Sequence, residues 1–483
     1  MHQSVQFPKT STGIEGLDEI TNGGFPKGRP ILICGSAGCG KTLFGIQFLV
    51  NGIKEQNEPG VFISFEESTA DLTFNVLSLG FDLRKLQAEN KLRIDHIRIE
   101  RSEIQETGEY DLEGLFIRLD HAIKTVGAKR VVLDTIESLF SGMDNETLLR
   151  SEIRRLFQWL REKGVTAIIT GERGEKSLTR QGLEEYVSDC VLLLDFRVID
   201  QIATRRLRIV KYRGSTHGTN EYPFLIDESG ISVIPITSLK LNYKTSTRIV
   251  STGVPSLDVL FDGGGVYEGS SSLVTGTAGT AKTILAGHFA AGSGQRQERV
   301  LFFSFEESPD QLIRNMLSIG VDLRPFIDAG LLLIHASRPT LQGLEMHLLL
   351  FHKLMKEFDP RTVIVDPISS LVSVGSPLEV KAMLVRLMDS LKLKKINCLF
   401  TALIGQGGDA GNDPMVDTVS SLADNWFYLK NEVEGGRRQR MLSIVKSRGM
   451  EHYNDFIPFS ITREGIKIAS TQSHSRSKQT NGK

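Results

Sequence analysis

The chain has 483 residues, 40% of them hydrophobic and 24% charged. That is ordinary globular composition, and at about 150 residues per domain it suits two to four domains. The 57 Lys and Arg against 58 Asp and Glu leave a net charge of −1, which excludes a polybasic or polyacidic protein as a whole but not a local basic patch.

Other classes fall away as quickly. No apolar run is long enough to span a bilayer. The opening residues, MHQSVQFPKTSTG, lack the apolar core of a secretory signal. Cys34, Cys39, Cys190 and Cys398 form no CxxC pair and are too sparse for a disulfide framework. A soluble, cytoplasmic protein is expected.

Five segments recur in the same order. STGIEGLDEITNGGFPKG (11–28) returns as STGVPSLDVLFDGGGVYEG (251–269) and GSAGCGKT (35–42) as GTAGTAKT (276–283). VFISFEES (61–68) returns as LFFSFEES (301–308), VVLDTIESL (131–139) as VIVDPISSL (363–371), and KYRG (211–214) as KSRG (446–449). Offsets that drift only between 232 and 241 residues mark a tandem duplication. The expected domains are 1–240 and 247–468, joined near SLKLNYKTST. A polar tail, 469–483, is expected to be disordered.

In chain order, the first half offers the strands ILICGS, VFISFE, KLRIDHI, RVVLDT, VTAIITG and VLLLDF. Between them, TLFGIQFLVNGI and LEGLFIRLDHAIKTV carry apolar residues at helical spacing. Continuous apolar strands alternating with helices predict an α/β fold with a mostly parallel sheet covered on both faces. RRLRIVKYR and PFLIDESGISVIP read as antiparallel, with ESG as the turn, so a β-meander is expected to close each domain. RRLR (205–208) and GGRRQR (435–440) are read as edge-strand cations, which block aggregation, or as contacts to nucleic-acid phosphates.

GSAGCGKT satisfies G-x-x-x-x-G-K-[ST] between a strand and a helix, the context that gives the motif its meaning. The ATP-binding set is Gly35, Ser36, Ala37, Gly38, Cys39, Gly40, Lys41, Thr42 and Leu43. The backbone N–H groups of Gly38, Cys39 and Gly40 wrap a β-phosphate, Lys41 reaches the β/γ-oxygens and Thr42 ligates Mg²⁺. Cys39 lies in the positive field of this loop, which favours thiolate, although P-loops accept any small residue there. The second set is Gly276, Thr277, Ala278, Gly279, Thr280, Ala281, Lys282, Thr283 and Ile284. Ala281 replaces the last glycine. Its methyl is harmless at negative φ, and costs on the order of 1–2 kcal/mol if the loop needs positive φ.

Asp134 and Asp366 end apolar strands and are the expected Mg²⁺ carboxylates, with Thr42 and Thr283 completing the metal set. Glu66, Glu67, Glu306 and Glu307 follow the next strands. One member of each pair is expected to orient and deprotonate the attacking water or hydroxyl.

Together these residues resemble the KaiC family of RecA-like ATPases. The resemblance rests on the double domain, TGIEGLDEITNGGFPKG before the P-loop, the FEES pairs, GLEEYVSD, and K-x-R-G followed by His, and runs from about residue 10 to 468. It implies two tandem RecA-like P-loop domains in a homohexameric ring, with ATP between subunits. Lys211 and Arg213, and Lys446 and Arg448, then match cations that reach the neighbouring subunit's γ-phosphate. His217 and His452 follow them and are candidate nucleotide contacts. The resemblance also implies Ser/Thr autophosphorylation in the second domain. Aligning SD (188–189) with AD (423–424) places Ser420 and Ser421 at the acceptor positions, where the first half has Glu185 and Tyr186. Signalling or clock proteins are the implied partners. Two other functions fit a paired ATPase: a RecA-like DNA-dependent motor and a nucleotide-gated signalling scaffold. The near-zero charge and the lack of a separate DNA-binding domain speak against nucleic acid.

Overall fold

A computed structural model describes residues 8–97, 112–139, 146–174, 188–199, 202–233, 245–405, 419–434 and 436–469. Glu185, Tyr186, most of the expected junction and residues 470–483 of the expected tail lie outside the described residues. The chain divides into two compact units, Met1–Ser238 and Leu239–Lys483. No helix among the described residues is long and apolar enough to cross a membrane.

In the first unit the strands are β1 (Pro30–Gly35), β2 (Gly60–Ser64), β3 (Leu92–His96), β4 (Arg130–Asp134), β5 (Thr166–Glu172), β6 (Cys190–Ile199), β7 (Ile202–Tyr212), β8 (Glu221–Asp227) and β9 (Gly230–Val233). They form one sheet in the order β3-β2-β4-β5-β1-β6-β7-β8-β9. Pairings from β3 to β6 are parallel and those from β6 to β9 antiparallel. The expected parallel sheet and closing meander are both present.

Both faces of the parallel strands are dry, which explains their unbroken apolar runs. Ile31, Ile33, Phe62, Val132 and Ile168 point to one face, against Phe44, Phe48 and Ile53 of α1 (Lys41–Gln56). Val61, Ile63, Val131, Leu133 and Ile169 point to the other. There they meet Phe116 and Leu119 of α2 (Glu113–Val126) and Leu156 and Phe157 of α3 (Glu146–Glu162).

The second unit repeats the plan strand for strand. Its strands are β10 (Ser271–Gly276), β11 (Val300–Ser304), β12 (Leu332–Ala336), β13 (Thr362–Asp366), β14 (Asn397–Leu403), β15 (Asn425–Glu434), β16 (Arg437–Ser447), β17 (Ile457–Thr462) and β18 (Gly465–Ile468). Their order is β12-β11-β13-β14-β10-β15-β16-β17-β18. The helix after β10 is α4 (Lys282–Gln295).

The arginine-rich stretches are not on edge strands. β7 lies between β6 and β8, and β16 between β15 and β17. Arg206 is paired with Glu221, and Arg205 stacks over Phe196. Arg205 and Arg206 serve the sheet's own packing.

Two buried polar devices tie helix to sheet, and each differs between the halves. In the first unit the amide of Gln47 donates to the carbonyl of Ile231 (3.0 Å) and accepts its N–H (2.6 Å). In the second, His288 Nε2 accepts the N–H of Ile466 at 3.1 Å. The preceding turn residue must be glycine in both. A Cβ on Gly230 would stand 2.6 Å from the Gln47 oxygen, and one on Gly465 2.3 Å from the His288 ring.

The other device is a buried guanidinium. Arg130, at the start of β4, is wholly buried and bonds to Glu58, Gln56 and the carbonyls of Phe48 and Ser11. It fills the space left by Gly52, where a Cβ would lie 2.3 Å from its Nε. The second unit has Thr362 at that strand position, hydrogen-bonded to Ser293 at 2.9 Å. Arg296, from the end of the helix, now reaches the matching carbonyl of Ser251 (3.0 Å) and Glu298 (2.9 Å).

Burial holds the His288 pKa below the ordinary histidine value, against an opposing hydrogen bond with the Gly253 backbone. The unfolded chain therefore takes up the proton first, and stability falls as pH drops below about 6.5. Replacing His288 by Gln, the residue the first unit uses, is expected to soften this acid loss by up to about 1.4 kcal/mol per pH unit. Thermal unfolding of parent and H288Q at pH 7.5 and 5.5 measures it. The parent comparison is needed because burial depresses His335 and His347 too.

Candidate nucleotide sites

Each P-loop leaves the C-terminal end of the central strand, where ligands of such sheets bind. Gly38 and Gly40 have φ of 72° and 100°, and Gly279 and Ala281 have 76° and 80°. The two loops thus share one backbone path, and Ala281 occupies the left-handed region with a methyl group. Among the described residues, a Cβ on Gly38 or Gly279 would meet nothing within 4 Å. Lys41 Nζ donates to the carbonyls of Gly35 (2.9 Å) and Ser36 (3.0 Å), and Lys282 does the same to Gly276 and Thr277 (both 2.9 Å). Each ammonium is thereby centred under its loop. Burial lowers the Lys282 pKa, against the attraction of Asp366 and Glu306.

Cys39 is not a thiolate site. It is fully buried beneath Gly35, and burial outweighs the field of Lys41, pushing its thiol up. Its counterpart Thr280 donates to the Thr277 carbonyl at 2.8 Å.

Asp134 ends β4, one strand removed from β1. Its carboxylate accepts from Thr42 Oγ1 at 2.9 Å and from Thr170 on β5. Asp366 accepts from Thr401 on β14 and from Thr283. Burial raises both carboxyls despite these bonds, and Glu66 near the first, and Glu307 and Glu306 near the second, raise them further. An ionised carboxylate in such surroundings needs a cation. The hydroxyl and carboxylate oxygens are the hard donors that Mg²⁺ takes, alongside phosphate and water. The donor set therefore fits Mg²⁺, and the glycine-lined loop fits a polyphosphate.

The glutamate pairs split in the same way in both halves. Glu66 accepts from Ser138 Oγ (2.6 Å) and Glu306 from Ser370 Oγ (3.0 Å), both serines lying just past the buried aspartates. Glu67 accepts from Asn75 (3.4 Å) and Glu307 from Asn315 (3.1 Å), on the helices that follow.

The remaining expected residues lie elsewhere. Lys211 is paired across from Val191 and Lys446 from Trp426, at the starts of β6 and β15. Those starts align with the beginnings of β1 and β10, the end away from the P-loops. β1 spans six residues, a separation of about 20 Å. Lys446 Nζ donates to the carbonyl of Ser420 (2.8 Å) and Arg448 to that of Ser421 (2.5 Å), so the serine pair lies at this far end too. His217 Nδ1 contacts the Gly218 carbonyl (2.9 Å) and His452 Nδ1 that of Met450 (3.0 Å), beside the same corners.

Sequence reasoning missed three parts of this arrangement. The threonines on β5 and β14 and the serines after the aspartates recur in both halves, so the internal repeat was a usable signal. A β-bulge precedes each K-x-R-G lysine, at Val191/Leu192 against β7 and at Trp426/Phe427 against β16. Bulges re-aim the residues beside them, and single-strand patterning carries no mark of one.

A P-loop at the end of the central strand, with an acidic strand one place removed, defines an ATPase of the RecA-like class, here in two tandem copies. A family model described as "ATPase: KaiC" matches residues 10–238 and again 250–473. The chain belongs to the KaiC family of ATPases. It is 55% identical over 466 residues to the circadian clock protein KaiC2 of Synechocystis sp., covering 96% of this chain and 82% of that protein. It is 36% identical over 466 residues to KaiC3 of the same organism (95% of this chain, 91% of that protein). Identity to the circadian clock oscillator protein KaiC of Synechococcus elongatus is 36% over 470 residues (97% and 90%).

The methyl of Ala281 gives a direct test of the shared loop path. Ala281→Gly is expected to stabilise the second domain by about 1 kcal/mol and to tighten its ATP binding. Gly40→Ala is expected to weaken the first domain by more, because its Cβ would also press to 2.8 Å from Ile226. Denaturant midpoints and calorimetric titration of each variant report both effects.

Proposed function

We propose that the chain assembles into a homohexameric ring and hydrolyses ATP in both domains. The second domain also transfers phosphate to Ser420 and Ser421 of the adjacent subunit. The observation that carries this reading is the separation of about 20 Å between each P-loop and the K-x-R-G corner of its own domain. An arginine side chain cannot cross that distance, so these cations serve a neighbour's nucleotide or none. The serine pair shares the far end and is equally beyond its own P-loop.

Each residue then has a task. The loop N–H groups and Lys41 hold the β- and γ-phosphates. Thr42 and Asp134 hold Mg²⁺, which when bound neutralises phosphate charge. Glu66 is held at the edge of the site by Ser138 and takes the proton of the attacking water as its oxygen bonds to the γ-phosphorus and the bond to the ADP oxygen breaks. Lys211 and Arg213 of the neighbouring subunit stabilise the transferring group, with His217 beside them. In the second domain Lys282, Thr283, Asp366, Glu306, Lys446, Arg448 and His452 repeat these roles, with a serine hydroxyl able to replace water. The relatives carry circadian clock names, and that supports assigning the chain to clock-type or other signalling.

Three measurements test the reading together: ADP release, protein-bound label from γ-labelled ATP, and native mass. A six-subunit mass with label lost in Ser420→Ala/Ser421→Ala is expected, whereas full turnover by a monomer would sink the proposal. Glu66→Gln is expected to lower first-domain kcat at least about a hundred-fold, and Glu67→Gln far less. Subunit mixing is more specific. In a Lys282→Ala background, Lys41→Ala and Arg213→Ala chains are each expected to lose most, though measurably not all, of first-domain turnover. Assembled together one to one they should recover about a quarter of first-domain turnover, because one interface in four is intact. No recovery in mixed rings would rule out action in trans.

A further inference from the structure

The K-x-R-G arginines are not loose ends. In each half the finger arginine is tied to an aspartate at the start of the strand beside the central one, Asp189 buried and Asp424 partly buried. The N–H of Arg213 bonds to the carbonyl of Asp189 at 2.9 Å, and the N–H of Arg448 to that of Asp424 at 2.9 Å. The guanidinium groups lie 3.8 Å from the Asp189 carboxylate and 3.6 Å from the Asp424 carboxylate. The finger side chains are about half exposed, while the Asp189 side chain is only 6% exposed.

The aspartates are themselves held by the sheet. Asp189 also faces Arg161 (2.8 Å) from α3 and Arg29 (3.5 Å) from the approach to β1. Asp424 accepts the N–H (2.9 Å) and hydroxyl (2.8 Å) of Ser271, the first residue of β10, and pairs with Lys392 at 3.0 Å. Burial opposes ionisation of Asp424, but Ser271 and Lys392 hold its carboxyl below the usual carboxylate range. The partners differ between halves; the aspartate and its arginine do not. A carboxylate with several fixed donors is a rigid anchor, and a guanidinium 3.6–3.8 Å from it, which in Arg448 also donates to the Ser421 carbonyl, is oriented by its charge.

We propose that Asp189 and Asp424 are positioning residues that aim the trans-acting arginines Arg213 and Arg448 at the neighbouring subunit's nucleotide. The proposal rests on the trans reading above and adds to it a defined holder on the donating subunit. The aspartates touch no substrate and act only through the arginines.

The test is a double-mutant cycle on first-domain turnover in the Lys282→Ala background. Asp189→Asn keeps the shape and removes the charge. It is expected to lower kcat at least ten-fold while KM stays within two-fold, because the P-loop that binds the nucleotide is on another subunit. Adding Asp189→Asn to Arg213→Ala should lower kcat by less than two-fold beyond Arg213→Ala alone. Independent structural damage would multiply the two losses and overturn the proposal, as would an Asp189→Asn kcat within two-fold of the parent. Arg213→Ala without effect would sink the trans reading and this proposal together. A loss in Arg213→Ala but not in Asp189→Asn would sink this proposal alone. Native mass and melting point report folding and assembly. If Asp189→Asn does not fold, the same cycle on Asp424→Asn and Arg448→Ala decides, read as ADP release above that of the Lys282→Ala chain.

Discussion

The length of one strand governs the chemistry of each domain. Six residues of β1 separate the anion-binding loop from the corner that carries the basic pair. The separation is a property of backbone rise, not of side chains, and no rotamer change closes it. The parallel strands collect acids at their C-terminal ends: Asp134, Glu66 and Glu67 beside the P-loop. Arg29, Arg161, Lys211 and Arg213 gather toward the opposite end around the start of β1. The second half repeats the division with Asp366, Glu306 and Glu307 at one end and Lys392, Lys446 and Arg448 at the other. A net charge of −1 therefore averages over two poles.

The acidic pole is held under electrostatic stress. Each buried aspartate has hydroxyl donors but no cation in hydrogen-bonded contact among its described partners, and a nearby glutamate adds repulsion. Such a site gains most from a divalent ion carrying its own water shell, which supplies charge without a buried lysine having to move. The P-loop lysines stay bound to loop carbonyls and leave the carboxylates exposed to that demand. The same economy explains Thr170 and Thr401: a neutral hydroxyl fixes the carboxylate's orientation without neutralising it.

Much of this was legible in the residues. The P-loops, the acidic strand ends, the glutamate pairs and the serine pair are local in sequence, and the internal repeat doubled every signal. The strand count and the meander followed from apolar runs and the ESG turn. What escaped was relational. A bulge exists only between two strands, so neither RRLRIVKYR nor VLLLDF could announce it. RRLR looked like an edge because cations are common there, but its neighbours β6 and β8 come from residues before and after it, and β8 carries Glu221, which pairs with Arg206. The φ of Ala281 was posed by the sequence as a question, since an alanine in that motif is compatible with either sign; the helix start decides it. Asp189 read as part of a repeat marker because its partners, Arg29 and Arg161, are far away along the chain.

The buried guanidinium has a consequence for the history of the duplication. Arg130 requires Gly52 opposite it, and Arg296 accompanies Ser293 and Thr362. A crossover that joined the helix of one half to the strand of the other would set Ser293 against Arg130, or leave Gly52 and Thr362 facing a hole with Ser11's carbonyl unmet. Either recombinant buries a clash or an orphaned polar group. The two halves still share a plan, but sequence exchange between them is now closed at this point. Each half is therefore free to drift toward its own specialisation without being homogenised by the other.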